Sequence, residues 1–187
     1  MSRIILASGS PRRKQLMELA GIPCEVLVSD VDETSFGEPD MQVKELAQRK
    51  ARAVMGLASM GHDDIIIAAD TLVYIDGQVL GKPQDEKQAF DMLRSLSGRC
   101  HTVYTGVAIL CGEYENIFAD KANVYFHELS DDEIFSYIAT GEPFDKAGAY
   151  GIQERGSVLV ARVEGDFYTV VGLPISKVYR VLTRELV

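Results

Sequence analysis

Four stretches of this chain carry residue types and spacings suited to chemistry. The first is Ala7-Ser8-Gly9-Ser10-Pro11-Arg12-Arg13-Lys14. Small residues after an apolar run, with Pro at a predicted helix start, aim backbone N–H groups and the positive end of a helix dipole at one spot. Arg12 and Arg13 add planar forks that match phosphate or carboxylate oxygens. The plainer alternative is a capped surface helix with two solvated arginines. The second stretch is acidic. Asp30, Asp32 and Glu33 follow residues 26–28, and Asp70-Thr71 follows the apolar run 65–69. Ligands of α/β proteins gather at the carboxyl ends of strands. Two carboxylates brought together repel unless a cation binds between them or one takes up a proton. For Asp30 and Asp32 the expected reading is a solvated acidic turn. Asp70 interrupts an apolar strand, which solvation does not explain.

The third stretch is Gly81-Lys82-Pro83, which holds a lysine between two backbone-restricting residues. It is not a P-loop: three residues separate Gly77 from Gly81, and Pro83 stands where Ser or Thr is needed. The fourth is the segment 141–153, with neither helical nor strand period. Its glycines permit close backbone approach, and Asp145, Lys146 and Gln153 supply a charge pair and an amide. His62, His101 and His127 lack metal-ligand spacing and are expected to be structural or solvated. No G-x-S-x-G elbow is present, which argues against a serine hydrolase.

The elements that must position these residues alternate between helical and extended patterns, which predicts an α/β fold in one domain, residues 1–187. Residues 4–7 read as a strand, Pro11 opens a helix that Gly21 ends, and 25–28 are extended. A helix is predicted from about Met41 to Met60, stopped by Gly61, with Val43, Leu46, Ala47, Val54, Leu57 and Ala58 on its inner face. Residues 65–69 form a buried strand. Asp76-Gly77 turns a hairpin between 72–75 and 78–80. A helix over 85–96 presents Ala89, Phe90, Leu93 and Leu96, and long antiparallel strands follow over 101–111 and 117–126. Ser130 and Glu133 form a capping box for a helix to Thr140. A last hairpin is expected between 158–163 and 168–171 around Glu164-Gly165-Asp166. Pro174 then opens a helix with Ile175, Val178, Tyr179 and Leu182 inward. Hairpins among helices call for a mixed sheet.

Composition narrows the function. With 19 basic against 28 acidic side chains the net charge is −9, which argues against a general nucleic-acid coat but not against a small anion held by a local basic cluster. The 47% hydrophobic and 25% charged residues match a soluble globular chain, so disorder and fibrous classes are excluded. No apolar run reaches the ~20 residues of a membrane span, and the N-terminal apolar run is too short for a secretory signal. Three widely spaced cysteines, Cys24, Cys100 and Cys111, suggest neither a disulfide framework nor a zinc ribbon. A cytoplasmic location is expected.

Taken in order, the motifs resemble the Maf family of nucleoside triphosphate pyrophosphatases. They are Ala7-Ser8-Gly9-Ser10-Pro11-Arg12-Arg13, Val31-Asp32-Glu33, Lys50-Ala51, Ala69-Asp70-Thr71, Gly81-Lys82-Pro83, Leu96-Ser97-Gly98, Thr105-Gly106-Val107, the run Asp145 to Gln153, and Val170-Val171-Gly172-Leu173-Pro174. The resemblance implies an elongated, mixed, twisted sheet flanked by helices, in two lobes around a cleft, similar to the inosine triphosphate pyrophosphatases. It implies a homodimer, and attack of water on the α-phosphorus, assisted by a divalent cation (Mg²⁺, Mn²⁺ or Co²⁺). Glu33 and Asp70 would bind the metal, Asp70 would accept the proton of the water, and Lys82 would join them in catalysis. Ser8, Ser10, Arg12, Arg13, Lys50, Thr71, Lys146 and Gln153 would bind substrate. Among these, Arg12, Thr71 and Gln153 look like the selectivity positions of the branch that acts on dTTP and UTP, which implies pyrimidine nucleoside triphosphates, modified ones included, as substrates. Neither a nucleic acid nor a membrane partner is implied. Nucleotide-pool sanitation and a link to cell division are roles that the resemblance brings with it.

Two other readings compete. Residues 26–34 end an apolar strand in D-x-D-x-T, the nucleophile motif of haloacid-dehalogenase-type phosphatases, with Asp30 forming the phospho-enzyme and Asp32 as acid/base. Asp166 alone follows a late strand, where that superfamily needs an acidic pair. The second is a non-catalytic nucleotide-binding regulator of cell division.

Overall fold

Nine apolar or small residues surround Asp70 and Thr71 between Ile65 and Ile75, and in the computed structural model they form one strand. The structure describes residues 3–28, 30–57 and 59–186. Strand β1 (Ile4–Leu6) pairs in parallel with β2 (Glu25–Val26) and with β3 (Ile65–Ile75), in the register Ile5↔Ile66. The sequence expectation ended the third strand at residue 69 and restarted it at 72. Asp70 is instead an interior strand residue, because the ladder continues through the polar pair. The predicted hairpin is present: Asp76 and Gly77 have φ of 52° and 79°, and β4 (Gln78–Leu80) folds back antiparallel with Ile75↔Gln78.

Helix α1 (Pro11–Leu19) starts with Pro in its first turn, as predicted, but Ser10 makes no side-chain cap. It ends at Gly21 (φ 68°), where Gly21 N–H donates to Glu18 O and Ile22 N–H to Met17 O, a Schellman closure. Helix α2 (Pro39–Met55) is shorter at its C-terminal end than predicted. Gly56 caps it, so Leu57 lies past the helix and is exposed, and the predicted inner residue Ala58 is outside the described residues. Ala51 joins Val43, Leu46, Ala47 and Val54 on the buried face. Helix α3 (Glu86–Leu96) is capped by Asp85, whose carboxylate accepts from Gln88 N–H (2.7 Å).

Strands β5 (Cys100–Cys111) and β6 (Tyr114–Phe126) follow, then helix α4 (Asp131–Ile138) with the predicted Ser130–Glu133 capping box. Residues 142–159 wind through three short 3₁₀ turns (Glu142–Asp145, Ala147–Ala149 and Glu154–Leu159). Strand β7 (Val160–Glu164) pairs antiparallel with β6, but its expected partner strand at 168–171 is a helix, α5 (Phe167–Val171). The cause is local: Asp166 accepts from Tyr168 N–H (2.9 Å), and this cap outweighs the strand preference of Tyr-Thr-Val-Val. In helix α6 (Ile175–Val181), which runs into a π-helical turn, Ile175, Val178 and Leu182 are buried as predicted, whereas Tyr179 faces solvent.

The sheet order is β2-β1-β3-β5-β6-β7, with β4 on β3, so the fold is a mixed α/β sheet flanked by helices. The chain divides into two compact units. The first comprises the residues up to Asp70, Thr105–Asp120 and those from Gly172 on. Its core sets Ile5, Ala7, Ile66 and Ala68 against Ala47, Ala51 and Val54 of α2, with Ala108 and Leu110. The second comprises Thr71–Tyr104 and Lys121–Val171. Its core gathers Leu93 and Leu96 of α3, Ile134 and Ile138 of α4, Val124 and Phe126, and Tyr150.

Candidate active site

Helix α2 lies against β5 because residue 106 has no side chain. A Cβ on Gly106 would stand 2.2 Å from the carbonyl oxygen of Val43. The same helix carries Lys50, whose Nζ lies 2.7 Å from Asp70 Oδ1 on β3 and 2.7 Å from Glu33 Oε1. Two of the three residues are sheltered, with side-chain exposures of 15% for Lys50 and 14% for Asp70, against 61% for Glu33. The two acids predicted to act together are thus joined through one ammonium in the first unit.

The segment after β1 supplies further cations. Ser8 is buried, and its Oγ accepts from Arg13 Nη1 (3.0 Å) and from Ser10 N–H (3.3 Å). Arg13 Nε donates to Gly172 O (2.8 Å). Removal from water draws the Arg13 guanidinium below its usual pKa, the charges of Asp70 and Glu33 oppose that shift, and Arg12 adds to it. Arg13 therefore lies within electrostatic reach of both acids, and a guanidinium stays charged in any such setting. Ser10 and Arg12 are half-buried in the same segment.

Asp30 and Asp32 take the solvated role expected of them. Asp30 is exposed, and the Thr34 side chain, together with Thr34 N–H (2.9 Å) in an Asx turn, donates to Asp32 and holds its carboxyl below the usual range.

The other predicted residues belong to the second unit. Thr71 is half-buried on β3 and Lys82 is exposed just after β4. Gly81 O accepts from Gly148 N–H (3.0 Å), which ties the Lys82 turn to the 141–153 segment. Lys146 is buried, and its Nζ donates to Asp145 Oδ1 and to Glu142 O, both at 2.7 Å. Its stem lies on Gly151, where a Cβ would meet Lys146 Cε at 2.6 Å. Gln153 is half-buried two residues on.

Sequence reasoning missed the residues that shape this segment. Tyr137 Oη accepts from Gly151 N–H (3.1 Å), the Glu142 carboxylate accepts from Arg155 and Gly156 N–H, and a Cβ on Gly156 would stand 2.0 Å from Gly151 O. Tyr150 Oη lies 2.7 Å from His101 Nε2, and both rings meet Phe126 edge-on. Burial pushes the Tyr137 and Tyr150 hydroxyls up and pulls His101 down to about 4, so the imidazole is neutral. Its Nδ1 has no hydrogen-bond partner among the described residues. Glycine density was the available signal. Tyr137, by contrast, looks like any core aromatic on a helix.

Among the described residues no group of three or more His, Cys, Asp or Glu side chains could hold a metal, and no helix is long and apolar enough to cross a membrane. The fold is a mixed α/β sheet that joins a lysine to paired acids, with an arginine within their electrostatic reach. The sequence model of the Maf-like protein family matches residues 3–185, and the chain belongs to that family. Curated relatives from Bacillus cereus, Bacillus thuringiensis subsp. konkukian and Bacillus anthracis are each 50% identical over 184 residues, covering 97% of this chain and 95% of their own, and each is named dTTP/UTP pyrophosphatase. Among solved structures, the Staphylococcus aureus Ham1 protein matches at 15% identity and a TM-score of 0.48, covering 67% of this chain and 72% of its own.

Proposed function

We propose that this protein hydrolyses dTTP and UTP, and modified pyrimidine nucleoside triphosphates, to the nucleoside monophosphate and pyrophosphate. The names of relatives at 50% identity support the substrate class. The observation that carries the chemistry is the Glu33–Lys50–Asp70 junction, with Arg13 within electrostatic reach of both acids. A nucleoside triphosphate carries about four negative charges, so attack at phosphorus needs positioning and charge neutralisation more than a covalent group. Arg12, Arg13 and Lys50 supply positive charge in the first unit, and Ser8 fixes the Arg13 fork. Lys82 and Lys146 are proposed as further phosphate contacts, with Lys82 acting in the chemical step. Ser10 offers a hydroxyl and a backbone N–H in the same turn as Ser8.

Glu33 and Asp70 fit a divalent cation. Both are hard oxygen donors, and an oxygen of each already converges on one positive centre. Two carboxylates are also the number that suits Mg²⁺, which takes one or two and completes its shell with water and substrate phosphate. When bound, such a cation polarises phosphoryl oxygens and lowers the pKa of water. Asp70 is assigned as the base that takes the proton from the attacking water. Gln153 can donate to and accept from a uracil or thymine edge, and with Arg12 and Thr71 it is assigned to base selection.

The test is a panel of the common nucleoside triphosphates with Mg²⁺, scored for the phosphate product. Pyrophosphate release with preference for dTTP and UTP is expected, and Asp70→Asn should lower kcat by about 10²- to 10⁴-fold. Release of orthophosphate with nucleoside diphosphate would refute the proposal, and full activity of Asp70→Asn would remove the assigned base.

A further inference from the structure

Lys50 stands where the two acids would hold a metal. Its Nζ is 2.7 Å from an oxygen of each, so one ammonium now satisfies both carboxylates. An ammonium and a divalent cation within a few ångströms repel strongly, and the two cannot share this place. The three side chains also differ in freedom. Asp70 is sheltered and fixed by an interior strand, whereas Glu33 is exposed on a segment without regular structure. Lys50 is anchored on α2 but carries its charge on a flexible four-carbon stem, so it can leave without any change in the helix.

We propose that Lys50 is a resident counter-cation that a divalent metal displaces from Glu33 and Asp70, and that the displaced ammonium then turns to substrate phosphate. The inference rests on the reading of Glu33 and Asp70 as the protein ligands of the metal. Lys50 keeps the acids together and offsets one of their two negative charges before the metal arrives, and it lowers metal affinity in the absence of nucleotide. Phosphate gives the ammonium a new anionic partner, so substrate and metal favour each other's binding.

The experiment uses the nucleotide-free full chain and Mn²⁺, followed by the electron paramagnetic resonance of the free ion. Lys50→Met, which removes the charge and keeps an unbranched apolar stem, should bind Mn²⁺ at least about tenfold more tightly than wild type. Glu33→Gln and Asp70→Asn should both bind it more weakly than wild type. Unchanged or weaker binding in Lys50→Met overturns the exchange, as does the absence of Mn²⁺ binding by both wild type and Lys50→Met. If the acid variants lose Mn²⁺ while Lys50→Met matches wild type, the ligand assignment stands and only the exchange fails. If the acid variants retain wild-type affinity, the ligand assignment itself is wrong. The ammonium ¹⁵N resonance of Lys50 in the unaltered protein gives a second readout free of folding effects. It should shift as Mg²⁺ is added, and a resonance that stays in place at saturating Mg²⁺ overturns the proposal.

Discussion

Around Asp70 the first unit joins charged side-chain tips, whereas around Gly151 the second unit packs side chains and backbone closely against glycine backbone. The long Lys50 arm from a helix and the exposed Glu33 from an irregular segment meet the short, sheltered Asp70 on a strand. At 142–156 the fit is steric: Tyr137 Oη on Gly151 N–H, the Lys146 stem against Gly151, and Gly156 against the Gly151 carbonyl. A charged cluster tolerates small displacements, because Coulomb energy falls slowly with distance. Close packing does not, because overlap costs rise steeply. The two regions should therefore respond differently to the same kind of perturbation.

The largest effect should come from adding a single methyl group to the second unit. Gly156→Ala places carbon 2.0 Å from the Gly151 carbonyl oxygen and should cost about 3 kcal/mol of stability, read from urea denaturation. A loss under about 0.5 kcal/mol would break the contrast, since the segment would then be as forgiving as the charged cluster.

A smaller effect should follow pH. His101 is neutral in the fold, with its pKa drawn down by burial to about 4. Below about 6.5 the unfolded chain takes up a proton that the folded one refuses, so this contribution is present in full above that pH. It is lost as pH falls from about 6.5 towards 4, where the folded imidazole protonates too. Between pH 7 and 4.5 it amounts to on the order of 2 kcal/mol, measured as the difference in denaturation slope between wild type and His101→Gln. Equal slopes would mean that the ring titrates as if solvated.

The smallest effect is expected from Ser8, which supports Arg13 without belonging to the charged junction. Ser8→Ala removes the hydroxyl that accepts from Arg13 Nη1, while the Nε bond to Gly172 O remains. The KM for UTP should rise roughly fivefold, about 1 kcal/mol, with kcat nearly unchanged. A collapse of kcat would show that Arg13 orientation, and not only its charge, is needed in the chemical step.

How much of this was legible in the sequence depended on how local its cause is. Asp70 stood out because a carboxylate inside an apolar run has no reason to be there without a partner. The Asp76-Gly77 turn and the Ser130–Glu133 box were readable because each is decided within a few residues. The junction of Glu33, Lys50 and Asp70 was not readable from spacing. It forms only when helix α2 settles on β5, and Lys50 entered as a candidate solely through family resemblance. The helix at 167–171 was misread because a single Asp166 cap overrode four strand-favouring residues. In the second unit the glycines marked a tight segment, but nothing in the sequence named Tyr137, Glu142 or His101 as what it is tight against.

Asp70 sits within a strand flanked on both sides, between β1 and β5, while Gln153 lies between two short 3₁₀ turns, outside any strand. A ladder residue has almost no latitude, so the group assigned to water activation is the part of this molecule least open to remodelling. A directed-evolution campaign for altered base preference would find its accessible variation in the side chains around 153, provided the glycines beneath them are kept. Libraries that randomise the neighbours of Asp70 would yield mostly inactive or unfolded clones.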